Sequence, residues 1–157
     1  MNQRNTVATE RNIRTNIGFY PPQEDSGAWR STLPSLEHAL RQSFPDPVIE
    51  HQISPLHGEQ VLEFEITLAP DVWITGTSSM EGPDYAYVTL VDVTADEAAV
   101  FATWLRDSFV PAPDLVRFVS SLAMANGEES PWILPATGGS EEVVAEIRRH
   151  IDTFDTF

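Results

Sequence analysis

The stretch Val61-Leu62-Glu63-Phe64-Glu65-Ile66-Thr67-Leu68 alternates apolar and polar residues after its first position without a break. Successive side chains of an extended chain point to opposite faces, so Leu62, Phe64, Ile66 and Leu68 line one face and Glu63, Glu65 and Thr67 the other. A helix would scatter those four apolar side chains around its axis. The segment therefore reads as a strand with one face in a core and the other in water, which is the habit of an antiparallel sheet.

Working outward, Val48–Ile53 reads as the preceding strand, with Pro55–Gly58 as the turn between the two. On the other side Ala69-Pro70-Asp71 is a tight connection to a third strand, Val72–Thr77. A polar loop, Ser78–Asp84, leads to a fourth, Tyr85–Val93; both are rich in β-branched and aromatic residues. Consecutive strands with short links predict an antiparallel meander.

Before it, Leu33, Leu36, Leu40 and Phe44 recur at helical spacing, with Pro34 in the first turn and Pro45-Asp46-Pro47 as the stop. After it, Thr94 and Glu97 make a capping box for a helix with the stripe Ala98, Phe101, Leu105 and Phe109, broken by Pro111–Pro113. Leu115, Phe118, Val119 and Leu122 predict a further helix stopped at Asn126-Gly127. The last helix starts at Ser140, with Glu141 and Glu142 in its first turn, Arg148, Arg149 and His150 in its last, and Val143, Ile147 and Ile151 buried.

The expected fold class is thus α+β: a two-layer sandwich, a four-stranded antiparallel meander with one helix before and three helices after it. Residues 31–157 are expected to form a single domain. Residues 1–30 show no sustained period and contain Pro21-Pro22, so they read as a partly flexible N-terminal arm and linker, which Phe19, Tyr20 and Trp29 are available to pin.

With 157 residues, 41% of them hydrophobic, the chain has enough apolar matter to bury a core. It has no cysteine, which excludes disulfides, thiolate nucleophiles and sulfur-ligated zinc and suits a reducing, cytoplasmic setting. No apolar run approaches the roughly 20 residues of a membrane helix, and Met1–Phe19 lacks the apolar centre of a signal peptide. All nine basic residues are arginine, and the net charge is −15. Residues 42–105 hold eleven carboxylates and no Arg or Lys. Such a field repels nucleic-acid phosphates and anionic membrane surfaces and steers cationic proteins inward. The expected partner is a protein with a basic surface, not nucleic acid or a membrane.

Phosphate-binding glycine motifs, a G-x-S-x-G elbow, H-E-x-x-H and an EF-hand loop are all absent. His51 and His57 flank a turn near Glu50, Glu59 and Glu63, but alternation points Glu50 and His51 to opposite faces, so all four histidines are expected at the surface and no metal ligand is assigned. Glu63 and Glu65 share a strand face, where paired carboxylates do acid–base work only across a cleft. No catalytic or cofactor-binding residue is assigned either. The segment Gly127–Pro135 sets Trp132 between prolines, either as an anchor offered to a partner or tucked against the helices. The loop Ser78–Asp84 carries Met80, Glu81 and Asp84.

Together these features lead to a non-enzymatic, acidic protein-binding module whose partner-binding residues are Glu63, Glu65, Glu81, Asp84 and Trp132. By class alone, an inhibitor of the immunity-protein type or a chaperone-like protein has this character. A small carboxylate-dependent hydrolase and a self-associating structural subunit are the alternatives.

Overall fold

The alternating stretch lies in a strand, Gln60–Ala69, with Leu62, Phe64 and Ile66 buried and Glu65 and Thr67 exposed. The computed structural model describes residues 13–155 apart from His57, Pro83 and Asp84, and apart from the side chains of Glu81 and Tyr85. In chain order the elements are β1 (Thr15–Tyr20), α1 (Leu33–Ser43), β2 (Val48–Ile53), β3 (Gln60–Ala69), β4 (Val72–Gly82) and β5 (Tyr85–Val93). Then come α2 (Ala95–Trp104), a π-helical turn (Leu105–Phe109), β6 (Arg117–Ser120), α3 (Ser121–Ala125), β7 (Trp132–Ile133) and α4 (Ser140–Phe154).

The fold is α+β with one antiparallel sheet, but the sheet has seven strands in the order β2-β3-β4-β5-β1-β6-β7, not four. The expected meander is the half from β2 to β5. Three strands were read otherwise. Thr15–Tyr20, placed in the arm, lies inside the sheet between β5 and β6, with Ile17 and Phe19 fully buried. Gly18 interrupts its alternation, and a side chain there would collide with Tyr20, whose ring folds back over the glycine. The expected third helix is instead β6 followed by the single turn of α3. Val116 and Phe118 are wholly buried, and Val119 turns to the opposite face. Four residues are too few for periodicity to separate strand from helix. The two residues of β7 lie in the segment around Trp132.

Two boundaries also move. Ser78–Gly82 continues β4 rather than forming a loop, and Ser78 and Ser79 are buried. The last helix runs on to Phe154, so Arg148, Arg149 and His150 precede its final turn. His150, expected at the surface, is completely buried.

The predicted capping box forms. Thr94 Oγ1 accepts from the Glu97 amide at 3.2 Å while Glu97 Oε1 accepts from the Thr94 amide at 3.0 Å. Thr32 caps α1, which carries Pro34 in its first turn. One core joins Leu62, Phe64, Ile66 and Leu90 of the sheet to Leu36, Phe101, Leu105 and Ile147 of the helical layer, with Phe118; Leu122 is only half-buried and Val91 faces outward. Gly76 of β4 sits beneath the Phe64 ring, where a Cβ would lie 2.5 Å from Cζ. The sheet's two edges are unequal: β2 has six residues and β7 two.

Candidate acidic binding face

The face of the sheet turned away from this core carries the carboxylates. Register sets Glu50 of β2 directly opposite Glu63 of β3, and continues the row through Thr77 and Thr89 to Gly18. The next row runs Val48, Glu65, Thr75, Val91. Glu50, Glu63 and Thr77 of the first row and all four residues of the second line an open concavity of about 340 Å³. Like charges directly opposite across a strand pair repel. Here Gln52 Nε2 donates to Glu63 Oε1 at 3.0 Å. Among the described residues no arginine pairs with these three carboxylates; the ion pairs lie elsewhere, at Arg14–Glu97, Arg41–Glu37, Arg106–Asp107, Arg148–Asp96 and Arg149–Glu146.

Apolar side chains share this face. Val48 is 55% exposed, and Trp73, two residues beyond Thr75 along β4 and opposite Thr67, is 57% exposed. An accessible indole beside carboxylates is a surface for a cation, since the ring face attracts it and the acids neutralise it.

The sequence-predicted residues separate. Glu63 and Glu65 converge here. The side chain of Glu81, and Asp84 and His57 entirely, lie outside the described residues. Trp132 is far along the sheet order, on β7, half-buried, with its indole N–H donating to Glu128 Oε2 at 2.9 Å and the Arg149 guanidinium 4.7 Å above its ring. Those bonds hold Glu128 below the usual carboxylate range, the indole first and the Ser130 amide next. Glu50, Val48 and Trp73 are the members that sequence reading missed. Pairing β2 with β3 about their short turn would have revealed Glu50.

One constellation resembles a catalytic pair. Ser120 ends β6 and caps α3, and its Oγ lies 2.9 Å from His150 Nε2. The Ser120 amide donates to the same nitrogen at 3.1 Å, so Nε2 is the unprotonated one. Distance alone suits a nucleophile and its base. Both residues, however, are fully buried, and Nδ1 has no hydrogen-bond partner among the described residues, where a hydrolase would place an orienting carboxylate. Phe118, Trp132 and Phe154 surround the imidazole with centroids 4.9, 4.5 and 5.3 Å away. Burial pushes its pKa down to about 4. The pair is therefore part of the core.

A second concavity, about 660 Å³, is lined by Tyr20, Pro21, Val119 and Met124 together with Glu128 and Glu129. His51 is exposed and pairs with Glu37 at 2.8 Å. Among the described residues no three His, Asp or Glu side chains gather to hold a metal ion, and no helix is long and apolar enough to cross a membrane. Comparison with known proteins finds no family model, no curated protein and no solved structure that matches this chain.

Proposed function

We propose that the chain is a non-enzymatic module that binds a protein partner of cationic surface through the acidic face of its sheet. The observation that carries the reading is the convergence of Glu50, Glu63 and Glu65 around one concavity, beside the exposed Trp73, with no pairing arginine among the described residues. Opposing carboxylates cost stability, and a basic partner would turn that cost into attraction. An inhibitor or chaperone of a basic protein is the role that fits.

The test is kinetic. A pull-down from the native cell, read by mass spectrometry, supplies the partner. Association rates are then measured against salt for the wild type and for Glu50→Gln/Glu63→Gln/Glu65→Gln. A control, Glu24→Gln/Asp114→Asn/Asp152→Asn, makes the same charge change at exposed sites elsewhere. The wild-type rate should fall steeply as the Debye length shrinks from about 10 Å at 0.1 M to about 3 Å at 1 M. The first triple variant should associate about tenfold or more slowly and the control should stay near wild type. Equal rates in all three proteins, or a rate indifferent to salt, would show that the acidity does not direct binding.

A further inference from the structure

We infer that the outer edge of β2, which pairs with no second strand among the described residues, takes up an extended basic segment of the partner as an eighth strand of the sheet. This rests on the reading that the acidic face binds a cationic protein, and adds the form in which that protein is held.

The edge is built for addition. Strand β2 pairs with β3 through six consecutive registered residues with no bulge, and it contains no proline or lysine, the usual means of blunting an exposed edge. At its end the Ser54 amide donates to the Glu59 carbonyl at 2.8 Å. Antiparallel alternation carried back from that bond turns Gln52, Glu50 and Val48 toward β3, leaving the N–H and C=O groups of Ile49, His51 and Ile53 directed to the free side. Ile53 is 68% exposed, so an arriving strand finds apolar surface as well as hydrogen-bonding groups.

Charge selects the occupant. A second copy pairing β2 to β2 about His51 would set Glu50 of each chain beside Gln52 of the other and bring Glu50, Glu63 and Glu65 of both onto one seam, in chains that each carry −15. A basic strand meets the opposite field. Its outward side chains would stand next to Glu50, with Glu63 one strand further, about 5 Å beyond β2 and within the length of an arginine. Its alternate side chains would lie beside Ile49, His51 and Ile53. The recognised chemistry is therefore an extended segment alternating basic and apolar residues, held by main-chain bonds for affinity and by the acids for selection.

The experiment uses the intact protein and three peptides of about eight residues. One alternates Arg and Val. The second has the same sequence with N-methylated amides on its pairing edge. The third has the same composition in blocks. Affinity is read by titration at low salt, and amide exchange of Ile49, His51 and Ile53 by NMR. The alternating peptide should bind and protect those three amides, with the N-methylated one weaker by about tenfold or more at unchanged charge. Equal affinity for all three peptides without protection would overturn strand addition. If Glu50→Gln/Glu63→Gln/Glu65→Gln then still weakened them alike, the acidic-face reading would stand without it. No binding by the alternating peptide, or a dimer in sedimentation that protects the same amides without peptide, would also overturn it.

Discussion

Lowering the pH from 7 to 5 should cost this fold about 2 kcal/mol through one side chain, His150. The imidazole must be neutral, because its Nε2 accepts from the Ser120 amide and hydroxyl while its other edge lies among Phe118, Trp132 and Phe154. Burial is the largest influence and depresses the pKa from 6.5 to about 4; Glu128 and Glu146 pull it up, and Arg149 pulls it down. A lowered histidine pKa means that the unfolded chain takes up the proton first. The contribution is complete above the unfolded value of 6.5 and is lost as pH falls toward 4. At about 1.4 kcal/mol per unit the whole window is worth about 3 kcal/mol, most of it spent by pH 5. The assay is urea unfolding of the wild type and His150→Gln at pH 7, 6 and 5. Glutamine keeps an acceptor for Ser120 but does not titrate, so subtracting the two proteins removes every carboxylate common to both. The stability advantage of the wild type should shrink by about 2 kcal/mol between pH 7 and 5. A constant difference across that range would refute the account of a neutral histidine enclosed by aromatic rings.

Two substitutions probe the sheet. Glu50→Gln removes one of two directly opposed carboxylates and should raise stability by a few tenths of a kcal/mol in thermal unfolding while slowing partner association; a lower melting temperature would mean that the pair is not repulsive. Gly76→Ala sets a methyl group 2.5 Å from Phe64 Cζ and should lower the urea midpoint by an amount equivalent to about 1–3 kcal/mol; an unchanged midpoint would show that the ring moves aside freely.

Much of the sheet was legible because alternation over seven residues has only one comfortable conformation. From Val61–Leu68 the register of β3, the burial of Leu62 and Phe64 and the exposure of Glu65 all follow. Capping chemistry placed the start of α2, the first-turn proline that of α1, and the acidic first turn that of α4, which follows Gly139 with no side-chain cap. What failed was short or masked by an exception. In Thr15–Tyr20 only Ile17 and Phe19 carry the signal, with a glycine between them whose purpose, room for the Tyr20 ring, exists only once the strand is folded. In Arg117–Ser120 the spacing of Leu115, Phe118, Val119 and Leu122 mimics a helix, because a strand and a following helical turn share the count. The acidic face was half visible. Glu63 and Glu65 were evident on one strand, whereas Glu50 joins them through pairing across a turn, and His150 is buried by β7 and by the helix's own extension, neither of which periodicity reports.

The inequality of the two sheet edges bears on how many molecules can follow one another. Strand β7 offers only two residues, enough for little more than a single exchanged pair of hydrogen bonds, while β2 offers six. Growth of a continuous sheet from chain to chain needs a long receptive edge at both ends, since each new subunit must receive on one side and present on the other. This sheet has one such end. Strand addition at β2 would then be monovalent, stopping at one guest per chain, so this edge, uncovered among the described residues, would serve capture without serving as the seed of a fibre.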